Sequence, residues 1–463
     1  MEVTNKRIRV KALYLDQLGY GIDGKLTRQQ WQDECLEMVL SGRDSFNSWQ
    51  IELQHIASIS SSAGRFEWEI SYADESKSSI RLGWSDSVPA FVVDLTGRVF
   101  EKSLSLSGYR FLTGVSFMGA SFNIFATFHD VSFARPAYFQ GAQFKQGALF
   151  KASFDTGCIF DHCVFESLAS FGYSQCSGSA IFRNVTFQED AHFYGTTLKH
   201  ATFDGATFSK SASFWGDTVN NDNKVQVFGQ ISFLGTHFSD RADFSDREFM
   251  GRISFGAYEG QCTQFDVVPY FFNCRLHQDT TFLDVSFPVD TKKDKDAARA
   301  YSALRHAMSQ QQATREEQRF LKLEFDAERS VSDGRLRWIY ALYKNIADYG
   351  FSLSKPVFYL LFIPFLCAIL FYGILSSIHH CISLTSPGCQ FDANQTLEVI
   401  SFAFLQGLPP LGLEKISDSL RQALFGDGAD LFFLAITGIA QKVLSLIGWF
   451  LVALALRNLF RMK

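Results

Sequence analysis

The chain has 463 residues, 47% of them hydrophobic and 20% charged, with a formal net charge of −5. That balance excludes a disordered chain and a generally basic nucleic-acid binder, and the length suits two to four domains. Forty-nine phenylalanines against 15 tyrosines and 7 tryptophans point to a repeat that uses one side chain at one structural position.

Residues 1–104 read as an α/β cap domain. The opening MEVTNKRIRV has no apolar stretch of the signal-peptide kind, and its Lys6, Arg7, Arg9 and Lys11 form the densest basic patch outside the helices. Thr27 and Gln30 make a capping box for a helix over RQQWQDECLEMVLS, closed by Gly42. A second helix runs through FNSWQIELQHIA, and alternation at Phe66–Tyr72 and Phe91–Phe100 predicts strands. This segment would cover the open strand edge of the repeat region downstream of it.

From Phe117 the phenylalanines recur at 122, 128, 133, 139, 144 and 150, in steps that alternate 5 and 6. A small or β-branched residue sits two places before most of them, as at Val115, Ala120, Ala126 and Val131. The rhythm resumes over 160–198, where Cys176 and Leu198 take the Phe position, and again over 228–255, fading near Phe287. Neither a helix nor a plain strand has this period. A solenoid does: each 5- or 6-residue unit forms one side of a coil, with Phe and the small residue pointing inward. Four sides make roughly 22 residues, and roughly eight coils stacked at about 4.8 Å give a rod of roughly 40 Å.

The segment GASFNIFATFHDVSFARPAYFQGAQFKQGALF resembles the pentapeptide-repeat family, with its pattern A-x-[L/F]-x-x. The resemblance implies a right-handed quadrilateral β-helix over 105–288. The alternating sixth residue departs from the strict pattern and should bulge every second corner, and WGDTVNNDNKVQV (215–227) reads as a loop ejected from one corner. Some members of this family mimic DNA with an acidic rod. Here 104–288 holds 17 acidic and 12 basic residues, interspersed, so DNA mimicry is not supported and the Phe stripe reads as a core ladder.

Residues 289–355 read as a helical linker. After Pro288 a stretch free of Gly and Pro runs to Ser330, polar all round between two apolar clusters, which suits a bridging or exposed helix. Beyond a break at Asp333-Gly334, RLRWIYALYKNIADYG is amphipathic, with Trp338, Ile339, Leu342, Tyr343 and Ile346 on one side, as in a helix on a membrane surface.

Residues 356–463 read as a two-span, channel-like domain. PVFYLLFIPFLCAILFYGILSSI (356–378) is charge-free and about 35 Å long as a helix. The second span, 431–456, is interrupted by Gln441 and Lys442. Arg335, Arg337, Lys344 and Lys355 precede the first span, and Arg457, Arg461 and Lys463 come after the second. Between them lie only Lys415 and Arg421, with six acidic residues. Positive charge stays inside, so both termini and the solenoid are expected in the cytoplasm of a bacterium, with the spans in its inner membrane. The connector would then face an oxidising periplasm, where Cys381 and Cys389 can pair.

Within the connector, LEVISFAFLQGLPPLG is too short to span and stops at Gly407, Pro409 and Pro410. Either it re-enters the membrane, where broken backbone must line water or be buried in protein, or it lies on the bilayer as an amphipathic helix. Lys442 either faces a pore or snorkels to an interface. Only 14 residues, Val443–Leu456, remain beyond it, which favours the pore. The expected pore-lining set is Gln441, Lys442, Gln406, Pro409 and Pro410. No TVGYG filter supports potassium selectivity.

No phosphate loop, nucleophile elbow, HExxH or zinc spacing occurs, so no enzyme, metal or cofactor is expected. Most of the other cysteines read as core thiols. Three functions fit these features: a gated channel, most simply a homotetramer since two spans cannot enclose a conduit; a membrane-tethered β-helix scaffold for protein binding; or a membrane-held regulator of DNA enzymes. Intramembrane polar residues favour the first.

The domain order is similar to that of bacterial pentapeptide-repeat proteins with a C-terminal two-span channel module, a class that includes the membrane effectors of the two-gene Hailong anti-phage system. That resemblance implies a partner nucleotidyltransferase whose short DNA or nucleotide product holds the channel closed until infection. The residues available to an anionic ligand are Lys6, Arg7, Arg9 and Lys11, or Arg299, Arg305, Arg315 and Arg319.

Overall fold

The computed structural model describes residues 28–51, 92–216, 227–288, 291, 294–378, 393–408, 414–425 and 431–461. The chain divides into two compact units, Met1–Phe320 and Leu321–Lys463.

The first unit is built on a parallel β-solenoid of about eight turns. Val92 pairs with Gly114, Gly114 leads through Val115 to Ala137, and Cys158 comes next, each one coil of 21 or 22 residues further on. Parallel pairing thus starts at Val92, upstream of the boundary at 105 drawn from the Phe rhythm. Each coil donates its amides to the carbonyls of the next, as Phe117 N does to Tyr138 O at 2.7 Å. Inward-facing rings stack in columns. Phe117, Phe139, Phe160, Phe182 and Phe203 lie in one, with centroids 4.6 to 5.0 Å apart and planes within 7°. Two further columns run through Phe122 and Phe128. A fourth, through Phe111, Phe133 and Phe154, is taken over by Cys176 and Leu198 before Phe228 resumes it.

The two step lengths have a structural cause. Between Phe117 and Ala120 two residues make a hydrogen-bonded turn, and Gly119 has φ +63°. That left-handed position recurs every eleven residues through Gly97, Gly108, Gly119, Asp130 and Gly141, residue types that tolerate it. The sixth residue of the longer step sits at the alternate corner, between Phe122 and Ala126.

Two excursions leave the coil. Leu198 pairs with Phe228, an offset of 30 residues in place of 21 or 22, so the extra length lies beside 217–226, outside the described residues. The second was not foreseen: Ala257 and Tyr258 turn back antiparallel on Cys262 and Gln261, through Glu259 (φ 50°) and Gly260 (φ 83°). Two successive left-handed residues make this a tight hairpin turn.

Both ends of the solenoid are closed by side chains acting as a missing strand. Helix α1 (Arg28–Leu40) and the helical residues 43–51 cover the first coil. Asn47 exchanges hydrogen bonds with Gly108 O (3.3 Å) and Arg110 N (2.8 Å), and Gln50 Oε1 accepts from the amides of Leu112 and Thr113. Phe46 continues the column on Phe111 at 4.9 Å. The expected strand at 66–72 lies outside the described residues.

At the far end, α2 (Ala297–Gln310) and α3 (Thr314–Val331) pack on the last coil. Glu316 accepts from Phe282 N at 2.6 Å, Arg319 donates to the carbonyls of Phe282 and Val285, and Phe320 stands edge-on to Phe282 and Phe287. Tyr301, Leu304, Met308 and Phe320 are fully buried. This part of the linker is therefore a lid on the solenoid rather than a bare stalk.

Arg247 is buried in the first unit, 2% exposed, with its guanidinium 3.8 Å over the Phe228 ring. It donates to the carbonyls of Phe214 (2.6 Å), Phe193 (3.1 Å), Trp215 (3.2 Å) and Thr196. Burial lowers its pKa to about 9, which leaves it charged at neutral pH. Buried carbonyls without a donor each cost about 1–3 kcal/mol. Phe193 O also accepts from Thr196 and Trp215 O from Gly195 N, so Arg247→Met removes the donor chiefly from the Phe214 and Thr196 carbonyls. It should destabilise the full chain by at least about 2 kcal/mol. Exposed Arg252→Met should change stability by less than about 0.5 kcal/mol, as read from thermal melting followed by circular dichroism.

Candidate membrane site

The second unit contains two helices long and apolar enough to cross a membrane, with candidate spans Ser354–Leu375 and Leu434–Phe460. They belong to α5 (Ser354–Ile378), which carries Pro364 inside it, and α8 (Leu431–Arg461). Before them α4 covers Gly334–Ala347. Between them lie α6 (Ala393–Gly407) and α7 (Glu414–Phe425). At 15 residues α6 is about 22 Å long, short of a bilayer core of about 30 Å.

Helix α6 packs against both long helices. Phe371, Leu375, Val399, Phe402, Ala403, Phe425 and Leu434 form a shared apolar core. Helix α7 folds back on α6: Phe425 lies 5.9 Å from Phe402, and Gln406 Nε2 donates to Ser417 Oγ at 2.7 Å. A Cβ on Gly407 would lie 3.0 Å from Pro364 Cγ and 3.5 Å from Ser445 Oγ. Pro364 is ten residues into α5 and Ser445 fourteen into α8, so α6 ends part-way along both. A side chain there would fit only if Pro364 gave way by a few tenths of an ångström.

The end of α6 is tied by polar groups. Gln441 Nε2 donates to Ala403 O, and Trp449 Nε1 donates to Gly407 O at 3.2 Å. Gln406, Gln441 and Ser445 are 9%, 0% and 2% exposed, yet Gln406 Oε1, Gln441 Oε1 and Ser445 Oγ have no hydrogen-bond partner among the described residues. In an apolar surround each such oxygen costs several kcal/mol, so the arrangement calls for a polar occupant. The chemistry on offer is neutral: two amide oxygens and a hydroxyl beside the carbonyl end of a helix.

The structure brings some of the residues singled out from the sequence together and separates others. Gln406 and Gln441 both lie near the end of α6, Gln406 bonded to Ser417 and Gln441 to Ala403 O. Lys442, adjacent in sequence, is turned about 100° away from Gln441 and is exposed beside Ile439 (63% exposed) and Leu446 (64%). Pro409, Pro410, Cys381, Cys389, Lys6, Arg7, Arg9 and Lys11 lie outside the described residues. Of the four arginines in the lid, Arg319 is engaged by last-coil carbonyls and the Phe287 ring, and Arg299 sits 4.9 Å over Phe272. Arg305 reaches Ser302, and Arg315 is exposed. Ser417, Ser445 and Trp449 were missed, although Ser445 and Trp449 succeed Gln441 at steps of four. Among the described cysteines, Cys35, Cys158 and Cys163 are buried, and burial pushes their thiols well above the ordinary range.

Residues 171–216 match the family described as pentapeptide repeats (9 copies). They lie inside the stacked coils. This part of the solenoid carries pentapeptide repeats. The match and the fold together support a pentapeptide-repeat protein, and two apolar helices at its C-terminal end are compatible with membrane association. Comparison with curated proteins and with solved structures returns no match.

Gly407→Val should lower the melting temperature of the detergent-solubilised full chain, by overpacking worth about 1–3 kcal/mol. Gly438→Val, where a Cβ meets nothing within 4 Å, should leave it unchanged.

Proposed function

We propose that the chain is an ion channel of the bacterial inner membrane, assembled from several copies, most simply four, with both termini and the solenoid in the cytoplasm. The observation that carries this reading is the short helix α6, which stops beside the middle of two apolar helices with three buried, unpartnered oxygens around its end. A tether has no use for such a costly arrangement, whereas a water or ion path supplies the missing partners. Lys442 adds a second polar point on the face of α8 left open for neighbouring copies. No chemical transformation is involved.

The solenoid is the sensor in this reading. Helix α3 provides its lid through Glu316, Arg319 and Phe320 and then continues as the first residues of the second unit, so ligand binding has a covalent route to the spans. The controlling ligand is a nucleotide or short DNA made by a partner nucleotidyltransferase, and the output is membrane depolarisation during phage infection.

Expression of the full chain, followed with a voltage-sensitive dye and growth, should depolarise cells, and purified chain in liposomes should conduct. Lys442→Glu should move the cation-to-anion permeability ratio toward cations. Absence of conductance in liposomes, with no depolarisation during phage challenge beside the neighbouring genes, would favour a tethered scaffold.

A further inference from the structure

Helix α4 carries an apolar face that its own unit leaves open. Trp338 is 70% exposed, Ile339 62%, Leu336 52% and Leu342 49%, and exposed Arg335 and Arg337 border them. The opposite side of the helix is held firmly. Tyr340 donates to Glu328, Lys344 Nζ reaches Asp326 at 2.7 Å, and Phe325 packs on Tyr340 and Tyr343. The exposed face is thus presented by a fixed element.

Its place in the unit identifies what it meets. The turn after α4 is bound to the last part of α8: Asn458 Nδ2 donates to Gly350 O at 2.9 Å, and a Cβ on Gly350 would lie 2.8 Å from Leu454. Lys355, at the start of α5, donates from Nζ to Lys344 O at 3.3 Å. Helix α4 therefore sits where one span begins and the other ends, at the depth of a bilayer surface. Tryptophan and aliphatic side chains next to guanidinium groups suit that boundary.

We propose that α4 docks on anionic lipid, with Trp338, Ile339 and Leu342 below the headgroups and Arg335 and Arg337 on the lipid phosphates. This rests on the reading that α5 and α8 span the bilayer; it does not require conductance. Pinned to both spans through Gly350 and Lys355, the docked helix makes the cytoplasmic ends of the spans responsive to lipid charge.

The test uses the full chain in vesicles of phosphatidylcholine alone or with phosphatidylglycerol. Trp338 fluorescence is obtained as the difference from Trp338→Phe, with lipids brominated near the headgroup as quenchers. Trp338 should be quenched, more strongly in anionic vesicles, and Arg335→Gln/Arg337→Gln should reduce the docked-to-undocked ratio by roughly 30-fold, from about 1 kcal/mol per arginine. Equal quenching in both vesicle types would overturn the lipid preference. A chain that floats with the vesicles but shows no quenching, or whose Ile339→Cys cross-links between copies instead, would overturn the docking. Failure to float would remove the spanning reading and the proposal with it, whatever the conductance.

Discussion

A parallel solenoid leaves, at each end, a whole coil of amides and carbonyls that no neighbouring coil receives. The requirement that polar groups removed from water find partners shapes every part of this chain. Along the solenoid the coil-to-coil bonds meet it, and the phenylalanine columns hold the coils at the spacing those bonds need. At the ends, Asn47 and Gln50 on one side and Glu316 and Arg319 on the other take the place of the next strand. Beside Phe214 and Thr196, Arg247 supplies donors to carbonyls of the coil. The buried arginine thus serves the coil's own backbone rather than a ligand.

The same requirement makes the second unit different. Its helices satisfy their own backbones, and the end of α6 is partly met by Gln441 and Trp449. Three side-chain oxygens around that end remain without a partner. The first unit also holds buried side-chain atoms without a partner among the described residues, Gln140 Oε1 and Gln311 Oε1 among them, but these do not lie between two apolar helices. An unclosed set between apolar helices is a different kind of feature, and it is the reason for placing function there rather than on the rod.

The solenoid was legible in the sequence because a stacked column demands the same kind of side chain once per coil, so Phe spacing reports the coil directly. The hairpin at 257–262 was not legible, since Phe255, Gly256 and Tyr258 prolong the local alternation through the turn. Nor were the caps: Asn47 and Gln50 act on residues more than sixty positions away, and polar residues in a helical pattern read as a solvated face. The lid over 297–320 was misjudged for that reason. In the second unit, the polarity at Gln441 and Lys442 was visible, but not that Gln441 is buried against α6 and Lys442 exposed. Gly407 was visible as a stop, but not the nearness of Pro364 and Ser445 to it.

The central claim is that water or ions reach the unpartnered oxygens at the end of α6. The most direct measurement is the rate at which a water-soluble, membrane-impermeant thiol reagent modifies Ser445→Cys in the full chain in native membranes. The unsubstituted chain gives the baseline for its own cysteines, and Phe371→Cys, in the apolar core, serves as the dry control. Reaction at position 445 well above both is the expected result. Protection equal to that at position 371 would show a sealed site, and would contradict a path through it.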